Sequence, residues 1–95
     1  MSMDEALVKL TEYVCAMSEA LANDGNANDR PILTKHLAFA AEMYALLHKT
    51  HDISSIHDLV KTEIRGHGYS FIAGASGESI TKKWVAFTAS CGVKQ

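Results

Sequence analysis

The chain has 95 residues, 47% of them apolar, with nine Lys and Arg against eleven Asp and Glu and a formal net charge of −2. That length fits one domain spanning residues 1–95, and the slightly acidic balance argues against a nucleic-acid partner. Two cysteines, Cys15 and Cys91, with no C-x-x-C spacing, do not make a disulfide-dense scaffold and are expected as free thiols in a reducing compartment.

The first residues, Met1-Ser2-Met3-Asp4-Glu5, are acidic where a secretion signal is basic, and no apolar run approaches the ~20 residues of a membrane span. The expected location is the cytoplasm. Ser2 and Glu5 have capping-box spacing, so a helix is predicted from about Met3 to Ala22. Met3, Leu7, Leu10, Val14, Met17 and Leu21 follow each other at 4-3-4-3-4, the spacing of a helix–helix seam. Ala6, Val8, Cys15, Ala16 and Ala20 widen that stripe, and Cys15 is expected to be packing material. Asn23-Asp24-Gly25 supplies the stop.

After a polar loop, Asp29 is the predicted cap and Pro31 a first-turn residue of a second helix running to about Lys49. Leu33, Leu37, Ala40, Tyr44 and Leu47 repeat at 4-3-4-3, with Ile32, Phe39, Met43 and Leu46 alongside, so this helix has neighbours on several sides. The two helices are expected to form an antiparallel hairpin. A third helix is predicted from about Ser55 to Arg65, with Ile56, Leu59, Val60 and Ile64 on one face and Gly66 as its stop.

A glycine-rich connector, Gly66 to Gly77, carries Tyr69, Phe71 and Ile72. No second strand candidate exists to pair with it, so it is predicted as a loop packed on the core. The last helix is predicted from about Glu78 to Ser90, capped by Ser76. Ile80, Trp84, Phe87 and Cys91 form its inner face, and Gly92 ends it. The fold class that follows is an all-α, compact four-helix domain with the last two helices packed across the hairpin.

Three groups of residues bear on chemistry. His48, His51, Asp52 and His57 bring imidazole and carboxylate close together in sequence, the donor types that hold zinc. The dipeptides His51-Asp52 and His57-Asp58 resemble those of the HD-type metal-dependent phosphohydrolases. That family spreads its ligands over a much longer helical domain, and no residue role carries over. The plainer reading is that these side chains serve helix ends. No metal or other cofactor is expected. The glycine-rich connector lacks the spacing of a phosphate-binding loop. Lys61, Arg65, Lys82 and Lys83 are the basic residues of the last two helices, but acids balance them, unlike a DNA-reading helix. No nucleophile with an adjacent base is legible, so an enzyme is not expected.

What remains is apolar surplus and uneven charge. Residues 1–29 hold six acids against one base, and residues 30–95 eight bases against five acids. A chain of this length buries only roughly 60–65% of its unfolded surface, which makes an added interface valuable. The expectation is a small regulatory or inhibitory protein acting by protein–protein binding, an antiactivator or inhibitor of a larger regulator or complex. A homodimer is expected as well. The interface residues predicted are Met3, Leu7, Leu10, Val14, Met17, Leu21, Tyr69, Phe71 and Trp84. A metal-dependent enzyme or sensor built on the histidine cluster, and a nucleic-acid-binding helical module, are the alternatives.

Overall fold

A computed structural model describes residues 3–23, 29–65 and 74–92. Among them are four α-helices and one 3-10 turn, and no strand: α1 Met3–Asn23, α2 Arg30–Thr50, the turn Ile53–Ile56, α3 His57–Arg65 and α4 Gly74–Ser90. The fold is the all-α four-helix domain that the periodicities predict. Ser2, Gly25 and the connector residues Tyr69, Phe71 and Ile72 lie outside the described residues.

The hairpin is antiparallel. Thr11, in the first half of α1, is hydrogen-bonded to Tyr44, in the second half of α2. Helix α4 lies along the other flank of α1, also antiparallel, since one groove between them brings Lys9 beside Ala86 and another brings Cys15 beside Ser79. The 3-10 turn and α3 pack on α2. The last two helices pack across the hairpin from its two sides: α4 covers α1, and the turn with α3 covers α2.

The core explains that arrangement. The residues of α1 that are fully enclosed are Ala6, Leu10, Tyr13, Met17 and Ala20, again at 4-3-4-3 spacing. Tyr13 meets Trp84 with ring centroids 5.1 Å apart, and Trp84 meets Phe87 at 5.8 Å, both tilted pairs. Aromatic pairs at such offsets add to the area they bury. Small Ala6 and Ala20 on either side of Tyr13 let the helix backbones approach. Met3, Leu7, Val14 and Leu21 flank this line and are only partly buried. On α2 the enclosed line is Leu33, His36, Ala40, Met43 and Leu47, with His36 only 2% exposed, so it is turned from the Leu37–Tyr44 line.

Helix ends depart from expectation in three places. Asp29 sits at the cap of α2, and its carbonyl accepts from Leu33 N–H at 2.9 Å, but its side chain makes no capping hydrogen bond. Asp52 caps the 3-10 turn instead of an α-helix, accepting from Ser54 N–H at 3.0 Å and Ser54 Oγ–H at 2.8 Å. Helix α4 starts at Gly74, a turn before the prediction, and Ser76 lies inside it. Gly77 is buried where α4 enters the core, and its carbonyl accepts from Thr81 Oγ–H at 2.9 Å. Packing at Gly77 offsets the poor helix propensity of glycine there. At the far end Gly92 has φ 78° and closes the chain back on Ala89.

Candidate protein-binding face

The surface of the α1/α2 hairpin carries a shallow groove of about 320 Å³ lined by Leu7, Val8, Thr11, Glu12 and Tyr44. Local hydrogen bonds build it. Thr11 Oγ–H donates to the Leu7 carbonyl one turn back, at 2.8 Å. With that proton committed, the Tyr44 hydroxyl is the donor in its bond to Thr11 Oγ. The phenol is thereby laid over α1. The His48 imidazole, one turn further along α2, stacks on Tyr44 with centroids 5.4 Å apart and an interplanar angle of 25°. Val8 stands at the groove's edge, 55% exposed.

The charged fringe of this groove has two signs. Asp4 is exposed one turn before Val8 on α1. His48 and Lys49, both exposed, occupy the last turn of α2. Because the helices are antiparallel, these groups flank the same end of the groove.

The other flank of α1 is polar. Lys9, Glu12, Glu78, Lys82 and Lys83 surround a groove of about 450 Å³ between α1 and α4. Lys82 pairs with Glu78 at 3.4 Å, while Glu12 receives both Lys9 and Lys83 at 3.8 Å. Exposed pairs at such distances contribute little stability and leave the charges solvated. Cys15, expected to be packed, is exposed on this side beside Glu19 and Ser79. The apolar stripe of α1 is wider than the face its neighbours enclose, and Cys15 falls outside it.

Of the residues predicted as an interface, Leu10, Met17 and Trp84 have 0% exposure inside the chain's own core. Met3, Leu7, Val14 and Leu21 lie at its margin, and Tyr69 and Phe71 lie outside the described residues. Only Leu7 of the group lines the α1/α2 groove. Thr11 is absent from the periodicity analysis because its part depends on Tyr44, 33 residues away. Tyr13 and His36 were legible in principle, since each completes a 4-3 line as regular as the one next to it.

The histidine cluster is divided among separate structural tasks. His48 stacks on Tyr44. His51 ends α2 in the left-handed conformation, φ 53° and ψ 30°, its N–H returned to the Leu47 carbonyl at 2.9 Å. Hydrogen bonds from Ser54 hold the Asp52 carboxyl below the usual carboxylate range. His57 turns to the carbonyl of Cys91, 3.1 Å from its Nε2. Among the described residues no three His, Cys, Asp or Glu side chains meet where a metal ion would fit between them. Of the four basic residues considered for nucleic acid, Lys61 is exposed on α3, and Lys82 and Lys83 are the paired lysines of α4.

Among the described residues no helix is long and apolar enough to cross a membrane. No protein-family model, curated protein or solved structure matches the chain.

Proposed function

We propose that this is a small regulatory or inhibitory protein that acts by binding another protein chain, as an antiactivator or inhibitor of a larger regulator or complex. The observation that carries the reading is the α1/α2 groove, where Val8 is exposed beside Leu7 and Tyr44, both packed in part against the core and in part open to the groove. Isolated exposed apolar side chains are ordinary on protein surfaces. Here they adjoin one another, and a tyrosine pinned by Thr11 offers area at low entropic cost, as binding anchors do. A polar fringe of Asp4, Glu12 and His48 surrounds them, in keeping with the apolar centre and polar rim of protein interfaces.

A photo-crosslinking amino acid at position 8, introduced in cells that make the protein, tests this directly. The expected result is a covalent adduct with a different protein chain, resolved by mass spectrometry; adducts with a second copy alone count against the regulatory reading. The same reagent at position 38, an exposed alanine on α2, is expected to give none. Absence of any adduct at position 8, with the protein folded and abundant, removes the reading.

A further inference from the structure

We propose that the occupant of the α1/α2 groove is a second copy of this chain, seated by a two-fold axis parallel to the two helices so that α1 of each copy lies over α2 of the other. This rests on the reading of the groove as a protein-binding face: the second copy covers it when the chain is alone, and a larger regulator competes with that copy for the same face. A groove meeting its own copy must superpose on itself, and only two arrangements place helix along helix. The charges decide between them.

In the first, the axis crosses the helices, and α1 meets α1. Superposing Val8 on its copy then sets Asp4 of one chain opposite Glu12 of the other, at both ends of the contact. Like charges so placed oppose association. In the second, the axis runs along the helices, and α1 meets α2. Val8 then faces Tyr44 of the other copy at the same level. One turn further out, Asp4 faces His48, which its stacking on Tyr44 holds beside the groove, with Lys49 next to it. No acidic residue lies in that last turn of α2, and the exposed Asp52 two residues past it is engaged by Ser54. The acid of α1 thus meets the basic end of α2 twice, once on each side of the axis. The first 29 residues are acidic and the remainder basic, so the same sense of pairing is written in the chain as a whole.

The test is the mass in solution by light scattering during size-exclusion chromatography, on the full chain at micromolar concentration. Wild type is expected at twice 10.3 kDa, shifting toward monomer as salt is raised. Val8→Glu is expected to be monomeric with an unchanged helical circular dichroism spectrum, because Val8 is not part of the core. Val85→Glu, on α4 at 46% exposure, is expected to remain a dimer. Asp4→Lys and His48→Glu are each expected to raise the dissociation constant by about tenfold, and the double variant to recover most of the loss. A wild-type monomer, or a folded Val8→Glu dimer, overturns the proposal. A double variant no tighter than the singles overturns the α1-over-α2 arrangement. Should wild type be monomeric while position 8 crosslinks to a different protein, the binding face stands and the second copy falls. With neither a dimer nor an adduct, both fall.

Discussion

The Nε2 of His57, at the start of α3, lies 3.1 Å from the carbonyl oxygen of Cys91, one residue past the end of α4. A carbonyl only accepts, so Nε2 carries the proton, and the bond ties the third helix to the fourth across 34 residues of sequence. His57→Leu is expected to lose about 1 kcal/mol, the net worth of one such hydrogen bond. In a domain of this size that lowers Tm by roughly 4–8 °C. Thermal unfolding followed at 222 nm measures it, and an unchanged Tm means that the contact contributes nothing.

The two thiols differ in reach. Cys15 is exposed and Cys91 buried, and burial pushes the Cys91 thiol up to about 11. One thiol per chain is therefore expected to react with a thiol reagent at pH 8, and two in denaturant. The raised value also acts on stability. The folded state holds the Cys91 proton that the unfolded chain releases near 9.0, so this contribution is complete below that pH and is lost as pH rises through about 11. Cys91→Ala should flatten that alkaline decline, whatever its cost in packing at neutral pH. Denaturant unfolding at several pH values gives the slope.

His51 is the one described residue other than glycine with positive φ. A left-handed residue with a Cβ costs roughly 1–2 kcal/mol relative to glycine, and a helix end is where glycine is usually found. His51→Gly is accordingly expected to raise stability by up to about 1 kcal/mol. His51→Val, branched at Cβ, is expected to lower it. The paired measurement separates backbone conformation from any loss of the imidazole, which both variants lack.

Neighbouring residues of α1 should respond in opposite ways. Leu10 is fully buried in the core, and Leu10→Ala is expected to cost about 2–5 kcal/mol. Leu10→Glu should unfold the chain, since a carboxylate there would be buried without a partner. Val8→Ala should change monomer stability by no more than about 0.5 kcal/mol. Trp84→Ala, which removes the ring between Tyr13 and Phe87, belongs with Leu10 at roughly 3–5 kcal/mol. Urea titration of dilute protein reads all of these.

Local signals carried the helices. Pro31 and the 4-3 spacings placed α1 and α2 to within a residue or two, and Gly92 the end of α4, because capping and backbone conformation are settled by near neighbours. They failed at Gly74–Gly77, where α4 extends through two glycines to the buried Gly77, and at Asp52, whose oxygens suit a 3-10 turn as well as an α-helix. The candidate face was legible only in part. Leu7 belongs to the predicted seam and Tyr44 to the second helix's apolar line, but nothing local connects either to Thr11.

The all-α class, the number of the helices and the bounds of α1 and α2 were thus determined by the sequence taken alone, since spacing and terminators act within a few residues. Which line of each helix turns inward was decided by the tertiary structure. On α1, Met3, Leu7, Val14 and Leu21 form as good a seam with Leu10 and Met17 as Ala6, Tyr13 and Ala20 do. The second set is enclosed because α4 brings Trp84 onto Tyr13 from one flank while α2 covers the other. A helix surface offers several adjacent apolar lines, and its own periodicity ranks them about equally. Enclosure requires large and small side chains from separate helices to fill the same space, and that condition exists only once the helices have met.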